Sequence, residues 1–371
     1  MPEIILQHVT KRFDKFVAVQ DLDLQIQDRG FITLLGPSGC GKTTTLRMIA
    51  GLETPTSGRI LIDGTPVFDS EKGINLPPNK RDIGFLFQNY ALWPHMTVYE
   101  NIAFGLEMLK WDKARIRKRV DELLALLKIE QFEKRYPAEL SGGQQQRVAI
   151  ARTLAPSPKV LFMDEPLSNL DAKLRQEMRT ELKRLHSDTN STFVYVTHDQ
   201  LEAMTLSTKV CLMDTGVLQQ YAPPLEIYGH PANLFVAGFI GTPQMNFFEN
   251  CQLTKTADGY TLTVMGKNVS LTPEQSAKLA GAGVESRSVT VGVRPVHITL
   301  GENGIGAEVD VSELMGSELH LHLTADGQDI VAVIPTANID SGAYARHTAV
   351  QFGFDAKLVH LFDPETEENL L

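Results

Sequence analysis

The 371-residue chain has few cysteines and no long apolar run, and each shortage excludes a class of protein. Its three cysteines, Cys40, Cys211 and Cys251, form no C-x-x-C pair, which argues against a disulfide framework and a zinc site. No apolar stretch approaches the roughly 18 residues that a membrane-spanning helix needs. The N-terminal segment lacks the basic and then apolar pattern of a secretory signal. We therefore expect a cytoplasmic protein that reaches a membrane only through partners.

Basic residues are scarce in the last third of the chain. Residues 240–371 contain 7 Lys and Arg against 17 Asp and Glu, whereas residues 1–239 are balanced and the whole chain has a formal charge of −10. Affinity for a phosphate backbone comes from clustered Lys and Arg. This composition therefore predicts no nucleic-acid partner.

Residues up to about 238 combine strand and helix patterns in alternation. A strand-like stretch lies at 31–36, and the short apolar runs at 160–165 and 192–198 are typical of strands buried on both faces. Between about 89 and 158 the apolar residues recur at helical spacing, as in Ile116, Val120, Leu123, Leu124 and Leu127. Strands that alternate with helices indicate a parallel sheet covered by helices. We predict an α/β domain over 1–238 with a helical subdomain at about 89–158.

The pattern changes after about residue 240, where Gly241 and Pro243 interrupt the chain. Residues 250–362 read mostly as short alternating strands separated by Gly, Asp and Asn. We therefore predict that 239–371 form a separate, small all-β barrel. His320 and His322 alternate within one of its strands, but two histidines fall short of the four ligands of a structural zinc site, so we interpret them as ordinary barrel residues.

A phosphate-binding motif, G-x-x-x-x-G-K-[ST], lies between the strand at 31–36 and a predicted helix. In this context its backbone N–H groups can surround phosphate oxygens at a helix N-terminus, and the alternative of a simple glycine-rich turn is disfavoured. We expect Lys42 to reach the β- and γ-phosphates of a nucleoside triphosphate and the Thr43 hydroxyl to bind Mg²⁺. The predicted nucleotide-binding residues here are Gly36, Ser38, Gly39, Cys40, Gly41, Lys42, Thr43 and Thr44. Cys40 fills a free position of the motif, with redox sensitivity as the alternative reading.

Two carboxylates, Asp164 and Glu165, end the apolar run at 160–165. The carboxyl end of a strand is where an open α/β sheet binds its ligand. We expect Asp164 to hold Mg²⁺ and Glu165 to orient and polarise the attacking water.

A second possible phosphate cradle lies at Leu140-Ser141-Gly142-Gly143-Gln144, where Ser and two glycines precede a predicted helix. The chain already has one phosphate cradle, so we infer that the second one closes over a nucleotide bound by another copy of the chain. This pattern predicts a homodimer with Ser141, Gly143 and Gln144 facing the partner's ATP.

With these motifs in this order, the first 235 or so residues resemble the ABC ATPase family. The resemblance implies that L-S-G-G-Q is the family signature, that Gln88 senses Mg²⁺ and that His198 contacts the γ-phosphate. It also implies that the loop from Ser168 to Asp171 communicates across the dimer. Phe13 stands where the family has an aromatic residue that stacks on adenine, although Phe16 is close by, and either ring could instead belong to the core.

Further segments, including residues 87–106, 164–175 and 197–206 and V-G-V-R-P at 291–295, resemble the ATPases of maltose and multiple-sugar importers. The resemblance implies a C-terminal domain with an oligonucleotide-binding type of barrel that serves dimerisation and regulation. It also implies two integral membrane permease subunits, an extracytoplasmic solute-binding protein and a position on the cytoplasmic face of the membrane. Three alternatives remain open. These are an importer for another solute (a polyamine, iron, sulfate or glycerol phosphate), a soluble ABC ATPase acting on DNA or ribosomes, and a regulatory binder without hydrolysis.

Overall fold

The computed structural model describes residues 3–338 and 343–371. Contacts divide the chain into two compact units, one ending at Leu225 and the other beginning at Glu226. The boundary predicted near residue 239 and the limits of the helical subdomain stay predictions. The helix Pro224–Gly229 lies at this junction.

The first unit contains two sheets and a set of helices. Its strands are β1 (Ile4–Phe13), β2 (Phe16–Ile26), β3 (Phe31–Leu35), β4 (Ser57–Ile62), β5 (Thr65–Asp69), β6 (Ile74–Asn75), β7 (Ile83–Leu86), β8 (Val160–Asp164), β9 (Thr192–Val196), β10 (Lys209–Asp214) and β11 (Val217–Ala222). Its helices are α1 (Lys42–Ala50), α2 (Val98–Met108), α3 (Lys113–Leu126), α4 (Gly142–Leu154), α5 (Ala172–Asp188) and α6 (Gln200–Leu206). Single 3₁₀ turns cover Pro78–Lys80, Glu130–Phe132 and Pro137–Glu139.

The central sheet of this unit has the strand order β11-β10-β3-β9-β8-β7. All its pairs are parallel except β10 with β11. Strands β8 and β9 are buried along their whole length, as their continuous apolar runs predict, and β3 is buried in the same way. An antiparallel sheet, in the order β2-β1-β4-β5-β6, completes the unit. The predicted α/β phosphate-loop fold is confirmed.

Helix α3 shows how the apolar spacing produces packing. Its side chains at Ile116, Val120, Leu123 and Leu124 are buried, as is Leu127 just beyond the helix, and all pack into one apolar cluster with α2 and α4. Asp112 begins the helix by accepting a hydrogen bond from the Arg115 backbone N–H at 2.9 Å. Burial of this face stabilises the helix, since propensity alone contributes little at this length.

The second unit consists mainly of two antiparallel sheets around one apolar core. Their strands are β12 (Asn246–Thr256), β13 (Gly259–Val264), β14 (Lys267–Ser270), β15 (Arg287–Val293), β16 (Thr299–Leu314), β17 (Glu318–Ala325), β18 (Gln328–Pro335), β19 (Ala349–Gly353) and β20 (Val359–Phe362). The sheet orders are β14-β13-β12-β15-β20 and β18-β17-β16-β19. Single 3₁₀ turns cover Pro295–His297, Thr336–Asn338 and Ala356–Leu358. The β-rich C-terminal class predicted from the alternating strands is confirmed.

The second unit also contains two helices that the sequence analysis did not anticipate, at Leu234–Phe239 and Pro273–Gly281. The second of these lies within the stretch read as strands. Its signal was present, because Thr272 and Gln275 form a capping box and Pro273 occupies the first helical turn.

Candidate active site

The predicted site residues follow four neighbouring strands of the central sheet. The glycine-rich loop comes after β3, His198 follows β9, Asp164 and Glu165 lie at the end of β8, and Gln88 follows β7. Because these strands are parallel, their carboxyl ends lie at the same edge of the sheet. Sheet topology therefore gathers residues that are more than 150 positions apart in the sequence.

Two glycines of the loop have no room for a side chain. A Cβ at Gly36 would lie 2.1 Å from the Met213 carbonyl oxygen, and one at Gly41 would lie 2.3 Å from that of Ala18. Both glycines also have positive φ, at 149° and 98°. The loop thus curls tightly between β2 and β10 into the start of α1, and any larger residue here would distort it. This close backbone curve fits the phosphate cradle predicted from the motif.

Lys42, the first residue of α1, is 5% exposed and its ammonium lies inside the loop. Its Nζ donates hydrogen bonds to the Gly36 carbonyl at 2.8 Å and the Pro37 carbonyl at 2.7 Å. A buried cation whose neighbours are neutral carbonyl oxygens and a thiol is suited to an incoming anion. The side chain is therefore placed where phosphate oxygens would enter the curve of the loop.

Thr43 and Asp164 lie side by side between α1 and β8. The Thr43 hydroxyl donates a hydrogen bond to Asp164 Oδ1 at 2.8 Å, and the Asp164 side chain is 5% exposed. Arg47, one turn further along α1, contacts Asp164 Oδ2 at 3.3 Å. A hydroxyl beside a buried carboxylate is a set of oxygen donors of the kind that Mg²⁺ prefers. The two residues therefore fit the predicted metal role, whereas the Arg47 contact was not foreseen.

The Glu165 carboxylate lies next to two other polar side chains, those of Gln88 and His198. Its Oε2 lies 3.5 Å from Gln88 Nε2 and 3.5 Å from His198 Nδ1. Its backbone has φ 44°, and its N–H donates to the Val196 carbonyl at 3.1 Å. Positive φ in a residue other than glycine is strained and persists where the surroundings hold it. The structure thus brings the predicted catalytic trio, Glu165, His198 and Gln88, together at one point.

A cleft of about 290 Å³ connects the loop with an aromatic hairpin. Its lining includes residues of the loop, Glu165 and both Phe13 and Phe16. The two rings are paired across the turn between β1 and β2, and Phe13 is 43% exposed and Phe16 60% exposed. Lys11 places its Nζ 4.6 Å from the centre of the Phe13 ring. Both rings are thus available at the cleft, and neither is core. The other predicted residues in the lining are Ser38, Gly39, Gly41, Lys42, Thr43 and Thr44.

Cys40 lies beneath the loop and is 3% exposed. Burial raises the pKa of its thiol, although the Lys42 ammonium opposes that shift and its Nζ lies 3.6 Å from Sγ. A buried thiol that stays protonated is a poor target for oxidation. The geometry therefore favours Cys40 as a packing residue that contributes its backbone to the loop.

The second cradle is built on the N-terminus of α4. Ser141 caps the helix by accepting from the Gln144 N–H at 3.4 Å, and the Gln144 side chain accepts from the Ser141 N–H at 2.9 Å. Gly143 is packed so closely that a Cβ would lie 2.7 Å from a methyl carbon of Leu174. Within the described residues, the lining of the aromatic cleft does not include Ser141, Gly143 or Gln144. The predicted second cradle is therefore not part of the cleft at the phosphate-binding loop.

His320 and His322, the histidine pair noted in the sequence, belong to the second unit. His320 Nε2 is 3.6 Å from a Glu318 oxygen, and His322 Nε2 is 3.7 Å from a Glu313 oxygen. Among the residues that the structure describes, the group of three potential metal ligands is instead His8, Asp21 and Asp23, all exposed. Each of these histidines therefore has a carboxylate close by, and their interpretation as ordinary surface or barrel residues stays an interpretation.

In the described part of the chain, every helix is too short or too polar to cross a bilayer.

Comparison with known protein families gives three matches along the chain. Residues 19–168 match the family described as ABC transporter, residues 241–298 the MalK OB fold domain, and residues 291–362 the TOBE domain. The first match covers the phosphate-binding loop, the α4 N-terminus and both carboxylates of β8. The other two cover most of the β-rich unit.

Relatives of similar length extend these matches to the whole chain. The trehalose/maltose import ATP-binding protein MalK of Thermococcus litoralis is 45% identical over 382 residues, which covers 99% of each chain. The oligosaccharides import ATP-binding protein MsmX of Bacillus subtilis is 44% identical over 378 residues, with the same coverage. The uncharacterized ABC transporter ATP-binding protein YurJ of the same organism is 44% identical over 376 residues, again 99% of each.

Among solved structures, the dimeric ATP-binding cassette MJ0796, bound to ADP and Pi in a post-hydrolysis state, is 33% identical with a TM-score of 0.52. The similarity covers 60% of this chain and 98% of that one. CbiO1 of Clostridium perfringens, part of the ABC transporter complex cbiONQ, is 31% identical with a TM-score of 0.56 and covers 61% of this chain and 90% of that one.

Proposed function

This chain is an ATPase that belongs to the family of ABC transporter ATP-binding proteins, and from that premise we propose that it powers the import of a sugar or oligosaccharide. The observation that carries the proposal is the trio of Glu165, His198 and Gln88 beside the phosphate-binding loop. The sugar class is supported by the importer relatives MalK and MsmX.

We propose that two copies bind two ATP molecules at shared interfaces. The loop with Lys42 and Thr43 holds the phosphates of one ATP, and Ser141 and Gly143 of the second copy close over it. Support comes from the separation of these two halves in one chain and from the dimer formed by MJ0796. ATP binding closes the dimer, and hydrolysis reopens it.

In this mechanism Glu165 accepts a hydrogen bond from the attacking water and orients it toward the γ-phosphate. His198 contacts the γ-phosphate and keeps the Glu165 carboxylate in place from the other side. Thr43, Asp164 and Gln88 would hold Mg²⁺. The bound cation would neutralise the charge that develops on the phosphate oxygens.

We further propose that the segment from Gln88 to Tyr99 transmits dimer closure to two membrane permease subunits. Most of this segment is irregular, but Asn101 fixes it with side-chain bonds to the carbonyls of Trp93, Met96 and Thr97. Arg152 donates to the Tyr90 and Ala91 carbonyls at 2.7 and 2.6 Å. Because side-chain hydrogen bonds hold several of its backbone carbonyls, we expect this loop to move as a rigid unit. A rigid loop could transmit dimer closure to the permease subunits.

Co-purification of the tagged chain from membranes tests this function. We expect two integral membrane proteins and an extracytoplasmic solute-binding protein, whose ligand identifies the cargo. Lys42→Ala should recover the same membrane proteins while losing ATP hydrolysis. Recovery of ribosomes or DNA without membrane proteins would contradict the transport proposal and leave the ATPase assignment intact.

A further inference from the structure

A network of charged residues adjoins His198 in the sequence and in space, with Glu202 buried and Arg175 and Asp199 partly exposed. Its centre is Arg175 in the second turn of α5. The guanidinium NH2 donates to the Leu170 carbonyl at 3.1 Å, NH1 lies 3.5 Å from Asp199 Oδ2, and Nε lies 3.9 Å from Glu202 Oε1. One side chain thus contacts the loop that follows Glu165 and the helix that follows His198.

The Glu202 carboxylate is the buried anchor of this network. Its side chain is 4% exposed, and Oε2 accepts hydrogen bonds from Tyr195 OH and Thr197 Oγ1, each at 2.7 Å. These two hydroxyls satisfy only one of the carboxylate oxygens. A buried carboxylate is destabilising unless a positive charge or further hydrogen bonds compensate it. Burial raises the pKa of Glu202, and the Arg175 guanidinium, whose Nε lies 3.9 Å from the other carboxylate oxygen, opposes that shift.

The network fixes the backbone on both sides of His198. Thr197 donates to Glu202 and accepts a hydrogen bond from the Asp199 N–H at 3.0 Å. Asp199 in turn caps α6 by accepting from the Leu201 N–H at 2.8 Å. His198 lies between these two clamped residues, so its ring position depends on the place of α6. Arg175 links the first residues of α6 to the start of α5.

The same region of α5 also touches the second cradle. The Leu170 side chain lies 3.8 Å from the position that a Cβ on Gly142 would take. The Leu174 side chain lies 2.7 Å from the corresponding position on Gly143. The loop between Glu165 and α5 is also held at its start, because the Ser168 hydroxyl donates to the Glu165 carbonyl at 2.9 Å. The residues from Glu165 to Arg175 therefore connect the catalytic trio with the signature half of the site inside one chain.

We propose that Arg175 is a positioning residue for ATP hydrolysis, holding His198 and the loop from Glu165 to Asp171 in one fixed arrangement through Asp199, Glu202 and the Leu170 carbonyl. This inference rests on the proposed roles of Glu165 and His198. Arg175 itself does not reach the phosphate loop among the contacts that the described residues make. Its loss should therefore slow the chemical step and leave nucleotide binding unchanged.

The test compares Arg175→Met with Lys183→Met in the full chain. Lys183 is a matched control, because it lies on the same helix and also bonds to α6, donating to the Thr205 carbonyl at 2.9 Å on the exposed side. We expect Arg175→Met to lower single-turnover hydrolysis roughly tenfold to a hundredfold, since small misplacements of catalytic groups have effects of that size. The Kd for ATP should stay within about twofold of the original, and Lys183→Met should change neither quantity.

A second comparison separates positioning from general structural damage. If Arg175 acts through His198, Arg175→Met should cost little further activity in a His198→Ala background, because the two effects are not additive. If Arg175→Met fails to fold, Arg175→Lys replaces it in both backgrounds. A single ammonium cannot reach all three acceptors, so a smaller loss that again vanishes with His198→Ala is expected.

Three results would overturn the inference. They are hydrolysis in Arg175→Met equal to that of Lys183→Met, a weakened Kd that accounts for the whole loss, and an undiminished loss in the His198→Ala background. Failure of the proposed function gives a different result, since the unmodified chain would then lack ATP hydrolysis or membrane partners. Normal hydrolysis in the unmodified chain with no effect of Arg175 contradicts this inference alone.

Discussion

The Thr43 hydroxyl donates a 2.8 Å hydrogen bond to Asp164 Oδ1, and this bond joins the start of α1 to the end of β8. Asp164 is also contacted by Arg47 at 3.3 Å. The carboxylate is therefore held from two sides by residues of α1. The arrangement offers two oxygen donors at the mouth of the phosphate-binding loop, in agreement with a Mg²⁺ role for both residues.

Replacing Thr43 by Val should abolish most Mg²⁺-dependent hydrolysis, because Val keeps the shape of Thr and removes the oxygen donor. Thr45→Val is the matched control in the same helix. Among the described residues, the buried Thr45 hydroxyl has no hydrogen-bond partner, so its removal should be close to neutral. ATPase assays across a Mg²⁺ titration make the comparison. Equal activity of the two variants would remove Thr43 from the metal site.

Glu165→Gln should stop hydrolysis and leave ATP binding intact, because the amide keeps the size of the carboxylate and cannot accept the proton of water. We expect turnover to fall by at least about a hundredfold, and the ATP-bound variant to elute as a dimer in gel filtration. Glu177→Gln, an exposed change on α5, is the control. Undiminished turnover of Glu165→Gln would assign water activation to another group.

Much of this site follows from short motifs whose spacing fixes the chemistry. The loop around Lys42 and the carboxylates of β8 could be placed from the sequence, because a parallel sheet brings the ends of neighbouring strands together. Arg47, Arg175 and Glu202 could not, since their ion pairs join separate elements and depend on side-chain directions that no spacing encodes. The helix at Pro273–Gly281 is a different case, because its capping box is readable and the strand-like surroundings outweighed it.

The sequence also left Phe13 and Phe16 as alternatives, and their pairing across the hairpin explains why. Both rings line the same cleft, so position alone does not separate them. We predict that Phe13→Ala raises the Kd for ATP about fivefold to a hundredfold, the range given by stacking worth about 1–3 kcal/mol per base. Phe16→Ala should have the smaller effect. Titration of a fluorescent ATP analogue measures both, and the reverse order would assign the stacking role to Phe16.

The second unit should lose stability in mild acid because of His360. Burial lowers the pKa of this imidazole to about 4, and the positive charge of Arg294, which is 1% exposed, acts in the same direction, as do His230 and His297. In the unfolded chain the pKa of histidine returns to about 6.5. Between these values the unfolded state binds the extra proton, so the free energy of unfolding falls as the pH drops, by up to about 3 kcal/mol.

His360→Gln cannot take up that proton, so its stability should depend less on pH between about 4 and 6.5 than that of the unmodified chain. Urea unfolding at pH 7, 6 and 5 gives the free energy of unfolding of both chains. As the pH falls, the value for the unmodified chain should decrease more than the value for His360→Gln. His347→Gln, an exposed histidine paired with Glu308 on the same unit, serves as the control. If the unmodified chain and His360→Gln keep a constant difference across this range, His360 is not the group that couples stability to pH. His360 would then take up its proton in the folded state at the same pH as in the unfolded state, although burial and the charge of Arg294 lower its pKa in the folded state.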